Sequence, residues 1–511
     1  MEQLFSSVNQ IFEFVIPVSD FFWDFPTNLS WYASIPILGN FSLAVILLIG
    51  SGIYFSIRTG FIQVTHFSKG VRLLAKKKKE EAGISSLAAF FLSSAMRVGP
   101  GNILGVTGAI SVGGPGALFW MWVSAFFGMS TAYSEAVLAQ IFKEKKKDEF
   151  VGGLPFYGKK LLGNKMWAGI LLSLMYIIYA MCCIPAQGFN VVSSIGQMAS
   201  IVTGSSISSS SIFYYITAII LVILTAYIAF GGIKKVTRVT DRVVPVMAVL
   251  YILVILFLVC INLNALPYFF SSVLGGAFTP KALFGGAFGT VLVQGVKRGL
   301  MSNEAGQGTI TMAAAAASTD HPCEQGFVQS VGVFLDTIVI CSLTGFVIVM
   351  AHVWTGSNAT EWFTLDRLPK FLSSAEALTP ISAMSPAISF LLTLCFCLFA
   401  FTCLVGMISF SEIAVNCISK KKYPINIVRL TGILITTFGI LCSLAGLDLG
   451  NLWAISDLGN ILIVFANIPL LYIGAKYVFR ATKHYKKQDG TPFNSKVIGT
   501  SCEYWDQRNP S

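Results

Sequence analysis

Apolar runs of about 20 residues, separated by short polar stretches, recur along almost the whole chain. That is the length an α-helix needs to cross a hydrocarbon core of ~30 Å. Eleven spans are expected, at 35–57, 85–112, 116–142, 166–200, 212–230, 240–262, 283–312, 326–351, 388–416, 427–445 and 452–478. The fourth is long enough to be tilted or bent. In the second, ISSLAAFFLSSAM from Ile84 runs into Arg-Val-Gly-Pro-Gly-Asn and resumes as ILGVTGAISVG to Gly113. Pro100 removes a backbone donor, and Gly99 and Gly101 weaken the adjoining turns. Freed N–H and C=O groups cost several kcal/mol in hydrocarbon unless they line a protein cavity or bind something. The seventh span carries a second expected interruption at QGVKRG, Gln294 to Gly299.

If the first span is set aside, each interruption falls in the first helix of a group of five. Five is odd, so the second group is inverted relative to the first. Matched broken helices in inverted halves mark a carrier that binds its solute near the bilayer midplane. The competing reading of QGVKRG is that its glycines only let two helices pack closely. The expected division is an extracellular segment 1–34, an extra span 35–57, repeats 85–262 and 283–478, and a cytoplasmic tail 479–511.

Loop charge alternates. Residues 1–34 hold no Lys or Arg, whereas Arg58, Lys69, Arg72 and Lys76 to Lys79 follow the first span. The turn after the second span is uncharged; Lys143 and Lys145 to Lys147 follow the third. The Ser-rich loop 204–211 is uncharged, and Lys234, Lys235, Arg238 and Arg242 come next. Lys297 and Arg298 are placed in the inner half of the seventh span, and Lys420 to Lys422 follow the ninth. Positive charge marks the cytoplasmic side, which puts the N-terminus outside and the C-terminus in the cytoplasm, as an odd span count requires.

Composition agrees: of 511 residues, 55% are hydrophobic and only 12% charged, about half the charged fraction of a soluble domain. The net charge of +11 sits in loops between spans, so the partner is a lipid bilayer and nucleic acid is excluded. The eleven cysteines show no metal-ligand spacing and read as small buried fillers. The N-terminus, with Glu2, Glu13, Asp20 and Asp24, lacks the basic region of a cleaved signal peptide.

Several segments, GPGNILGVTGAISVGGPGALFWMW (Gly99–Trp122), GMSTAYSEAVLA (Gly128–Ala139), GVKRGLMSNEAGQGT (Gly295–Thr309), HPCEQG (His321–Gly326) and VFLDTIVICSLTG (Val333–Gly345), resemble the alanine or glycine:cation symporter family. The resemblance implies an all-α polytopic protein of LeuT type, a 5+5 inverted repeat with one extra N-terminal span. It also implies uptake of a small neutral amino acid across the inner membrane. Na+ is then the coupling ion, with H+ as the alternative, and no cofactor is required. Its cation site maps to the carbonyls of Ala95, Val98 and Phe399 with the side chains of Thr402 and Cys403. Cys403 departs from the usual hydroxyl and is a poorer partner for a hard cation.

An amino acid needs donors for its carboxylate and acceptors for its ammonium. The unwound segment Gly99, Pro100, Gly101, Asn102 exposes N–H groups at the positive end of the next half-helix. Asn102 is the expected side-chain donor, or a cap on its own half-helix. Carbonyls of Gln294, Gly295 and Val296 are expected to take the ammonium, and Gln187 reaches the solute or bonds between helices. Met407 stands where the family often has Trp, which implies a larger pocket. Arg97, beside Val98, either replaces the bound cation or pairs with a carboxylate. Asp336, mid-span, is functional by default; cation ligand, proton carrier and partner of Arg97 all remain open. Glu135, Glu304 and Glu412 read as interfacial or packing charges, and His321, Cys323 and Glu324 lack the setting of an enzyme triad.

Overall fold

The computed structural model describes residues 2–36, 38–76, 82–209, 211–278, 287–355, 359–446, 449–487 and 490–509. Lys77 to Lys79 and positions 283–286 of the expected seventh span lie outside these. The principal helices are α1 (Glu2–Asp24), α2 (Leu43–Thr59), α3 (Ser86–Arg97), α4 (Val106–Gly113), α5 (Gly116–Ile141), α6 (Met166–Thr203), α7 (Ile212–Ala229) and α8 (Gly232–Ile261). They continue as α9 (Leu266–Phe278), α10 (Ala287–Asn303), α11 (Thr311–Ala316), α12 (Pro322–Val333), α13 (Ser342–Met350), α14 (Arg367–Ala377), α15 (Ser385–Ile418), α16 (Lys422–Leu444) and α17 (Leu449–Lys487). A hairpin of Glu144–Lys146 with Glu149–Val151 is the one sheet among the described residues. Seven described helical segments are long and apolar enough to cross a membrane, and Leu43–Thr59 and Gly101–Gly113 are shorter apolar ones.

Local sequence sets the helix ends. Ser42 and Ser85 cap α2 and α3 by accepting from Val45 and Ala88 N–H groups, and Gly60 and Gly204 end α2 and α6 in the left-handed conformation. At 38 residues, α6 matches the expected long span and keeps Pro185 inside it. Gly439 of α16 lies against the Pro185 backbone, where an added Cβ would sit 2.1 Å from the carbonyl oxygen. Glycine is therefore what lets these two helices meet.

The first broken helix is as expected. Between α3 and α4 the helix is interrupted at Val98 to Pro100, with Val98 in a non-helical conformation, and a π-type turn, Gly101–Gly105, leads into α4. The second break is displaced. Here α10 continues unbroken through Gln294 to Gly299 and stops at Asn303; the chain opens at Glu304 to Ile310 before α11 begins. Gly295 and Gly299 serve packing instead, since added Cβ atoms would meet Trp120 Cβ at 2.5 Å and Ser124 Oγ at 2.6 Å on α5. Positive φ falls later, at Glu304 (58°), Gly306 (100°) and Gly308 (73°). The distal ends of the two broken helices are joined by backbone pairing: Ile84 N donates to Ala316 O at 3.0 Å and Ser318 N to Ile84 O at 2.9 Å.

Two further expectations change. The segment before the first span is helical, and α1 lies along α17, its Trp23 Nε1 donating to Asp457 O at 3.0 Å. Lys297 and Arg298 are buried and paired with Asp457 at 3.1 and 3.0 Å, so they are not loop charges that set orientation. Glu412 keeps its packing role in a two-pronged pair with Arg429.

Because Gly295 faces backbone and Trp120, Gly295→Ala is expected to destabilise the protein by about 1–3 kcal/mol. Gly50→Ala, with nothing within 4 Å of its added Cβ, is the control. Thermal unfolding of the detergent-purified variants reads the difference.

Candidate functional site

Each break strands backbone groups, and buried side chains recover them. At the first, the side-chain oxygen of Asn102 accepts from Gly99 N–H at 2.8 Å. Its amide nitrogen donates to Asp336 Oδ1 at 2.6 Å and to Ser302 Oγ at 3.0 Å. Asp336 Oδ2 accepts from Ser302 Oγ at 2.7 Å and from Thr337 Oγ1 at 2.8 Å. The carboxylate thus ties the first broken helix to α10, and it sits in a π-type stretch, Phe334–Cys341, between α12 and α13. Such stretches gather at functional sites.

At the second break the carboxylate comes from α5. Glu135 Oε1 accepts from Gly306 N at 3.1 Å, Gly308 N at 2.9 Å and Asn467 Nδ2 at 2.6 Å, and Asn467 also donates to Gly306 O at 2.9 Å. Of the charges expected to be interfacial or packing ones, Glu135 and Glu304 lie inside the protein, 0% and 3% exposed, and Glu135 holds the second break in place. What could have revealed them is the glycine spacing of NEAGQG, denser in turn formers than QGVKRG.

Between the breaks lies a cavity of about 30 Å³, room for about two waters. Arg97, Gly99, Pro100 and Gly101 line it at the first break, and Met301 and Glu304 at the second. Tyr179, Cys183 and Gln187 of α6, Cys403 and Met407 of α15, and Trp453, Ser456 and Asn460 of α17 complete the wall. Tyr179, Trp453, Ser456 and Asn460 were not anticipated, because nothing in their local sequence separates them from packing residues.

The expected residues divide. Gly99, Pro100, Gly101, Gln187 and Met407 meet at the cavity. Asn102 does not line it; its side chain is spent on Gly99, Ser302 and Asp336, the capping role. Gln294, Gly295 and Val296 stay within α10, away from the cavity, where helical carbonyls are already engaged along the helix.

Ala95, Val98 and Phe399 share one buried apolar cluster. Thr402 Oγ1 donates to Leu398 O at 3.0 Å and Phe399 O at 3.2 Å, leaving its oxygen lone pairs free. Cys403 Sγ lies 3.9 Å from Met96 O. These five residues thus lie where α3 packs on α15, with Cys403 the softest donor among them. Arg97 is anchored elsewhere. Its Nε donates to Asn303 O at 3.0 Å and its Nη1 to Gln329 Oε1 at 2.9 Å. No ion pair joins it to Asp336 among the described residues.

At the opposite end of α12, His321 Nδ1 caps the helix by accepting from Cys323 N at 3.1 Å, and Lys76 engages Glu324 at 2.5 Å. These groups serve structure.

Two helices broken around one polar cavity in a many-helix apolar fold form the frame of a carrier, and comparison with known proteins decides which kind. The sodium:alanine symporter family model matches residues 30–497. The chain belongs to this family. It is thus a multi-pass membrane protein of a transporter family. It is 35% identical over 442 residues to the amino-acid carrier protein AlsT of Bacillus subtilis, covering 86% of this chain and 89% of that one. The sodium/alanine symporter AgcS of Methanococcus maripaludis is 33% identical over 447 residues, 87% of this chain and 94% of AgcS. The probable sodium/glutamine symporter GlnT of Bacillus subtilis is 34% identical over 451 residues, 87% and 88% of the two chains. Among solved structures, MhsT in complex with L-phenylalanine shares the fold at a TM-score of 0.58 and 15% identity, covering 80% of this chain and 93% of MhsT.

Ser302→Ala removes a donor to the buried Asp336 carboxylate and is expected to cost about 1.5–3 kcal/mol, read by thermal unfolding. Asp336→Asn removes the negative charge on which Asn102, Ser302 and Thr337 converge and is expected to abolish accumulation of labelled solute in cells expressing normal amounts of protein.

Proposed function

We propose that this family member carries a small neutral amino acid into the cell by alternating access, coupled to Na+. The observation that carries the reading is that one cavity is walled by both breaks, Gly99 to Gly101 on one side and Glu304 on the other. Broken helices at matched places in two halves suit a midplane solute site. The amide N–H at Gly101 opens the half-helix that continues into α4, whose positive end favours the solute carboxylate. Gly101 lets the break sit close to α10, since an added Cβ would lie 3.3 Å from Met301 O.

Eleven membrane spans in a 5+5 inverted repeat, with the N-terminus outside and the tail in the cytoplasm, are part of the same reading. So is the cation position formed by the Ala95, Val98 and Phe399 carbonyls with Thr402 and Cys403. Support for Na+ comes from family membership. Arg97 Nε and Nη1 are held by Asn303 and Gln329. At about 30 Å³ the cavity must widen to admit a solute. Met407, flexible and slighter than Trp, makes serine and glutamine candidate solutes beside alanine.

Uptake of labelled alanine into proteoliposomes, with and without an inward Na+ gradient, tests this. Accumulation is expected only with the gradient, with unlabelled serine and glutamine competing. Equal uptake under an H+ gradient alone would replace Na+ by a proton, and absence of any amino acid uptake would remove the proposal.

A further inference from the structure

The displaced second break brings a side chain to the cavity that a break at QGVKRG would not have placed there. Glu304 is the first residue of the unwound stretch and lines the cavity from the side opposite the first break, where Arg97 lines it. Both are buried, at 1% exposure for Arg97 and 3% for Glu304. They do not pair: no contact within 4.0 Å joins them, nor either one to another opposite charge, among the described residues. Each is nevertheless held in place. Arg97 is gripped through Nε and Nη1, while its Nη2 is buried with no partner. Glu304 is gripped through Oε2 by Thr309 Oγ1 at 2.7 Å, while its Oε1 takes no donor among the described residues.

The other buried carboxylates nearby have different work. Both Asp336 oxygens are filled by Asn102, Ser302 and Thr337. Glu135 spends Oε1 on the second break, and although its Oε2 has no partner it does not line the cavity. Arg97 and Glu304 are thus the two charged residues lining the cavity, and each keeps one polar atom without a partner among the described residues. Glu304 also sits at φ 58°, a left-handed conformation that costs a non-glycine residue on the order of 1–3 kcal/mol and persists where the surroundings impose it for a functional end.

A buried charge without a partner is expensive in membrane-embedded protein. Two opposite charges, fixed on facing sides of one cavity and kept from closing on each other, are satisfied together by a solute that carries both signs on neighbouring atoms. We propose that Arg97 and Glu304 are the two poles of the solute site: the Arg97 guanidinium donates to the carboxylate of an α-amino acid zwitterion and Glu304 accepts from its ammonium. Backbone dipoles at Gly99 to Gly101 then assist the carboxylate, and Glu304 does what the carbonyls of Gln294 to Val296 cannot do from inside a helix. A site of this kind selects for the zwitterion and rejects solutes with one charge only, because each leaves a buried pole unpaired. The inference rests on the amino acid carrier reading.

The test uses the purified full-length protein in lipid nanodiscs with Na+ present, and measures binding of L-alanine, L-lactate and L-alaninamide by ligand-induced thermal stabilisation. Lactate lacks the ammonium and alaninamide lacks the carboxylate. The unaltered protein is expected to prefer alanine over either by about 100-fold or more. Glu304→Gln is expected to cut the preference over lactate by at least about tenfold while leaving that over alaninamide, and Arg97→Gln to do the reverse. If each substitution weakens all three ligands by the same factor, the residues only support the fold and the proposal is overturned. Where a neutral variant does not fold, Glu304→Asp and Arg97→Lys displace the charge and are read by the same criterion. Failure of the unaltered protein to bind any amino acid would sink the carrier reading itself, a result distinct from unchanged preferences in the variants.

Discussion

A backbone that leaves helical geometry inside a membrane protein must find new hydrogen-bond partners there, since lipid offers none. That requirement shapes the centre of this molecule. Asp336 and Glu135, carboxylates from two different helices, meet it at the two breaks. Asp336 works through Asn102 and Ser302, so one carboxylate holds a broken helix against α10. Glu135 takes the Gly306 and Gly308 N–H groups directly, with Asn467 closing the other side. The unwound segments are therefore as well anchored as the helices around them, and the cavity has defined walls.

Placing carboxylates at such depth carries a cost that only specific partners offset. The structure spreads the compensation unevenly. Asp457 meets Lys297 and Arg298 as a direct ion pair beside α1. Asp336 and Glu135 are compensated by neutral donors. Arg97 and Glu304 are compensated least, and both face the cavity.

Much of the architecture could be read from the chain. The apolar runs located the long helices, including the 38-residue α6, because hydrocarbon thickness fixes helix length whatever the neighbours are. GPGN announced its own break, since proline and glycine forbid a continuous helix locally. The segment before the first span was harder: its polar residues hid a helix whose reason is packing on α17. The charges Lys297 and Arg298 misled for the same reason, as their partner Asp457 lies about 160 residues away in sequence.

By itself the sequence determined the membrane class, the long helices, the first break and the family likeness, all of which follow from local composition and periodicity. Tertiary structure decided which glycines open a helix and which flatten one: Gly295 and Gly299 face α5, whereas Gly306 and Gly308 take positive φ. It also decided what Asn102, Arg97 and Glu304 do. A side chain's role at depth depends on which donors and acceptors remain unfilled around it, and that balance exists only once distant helices have met.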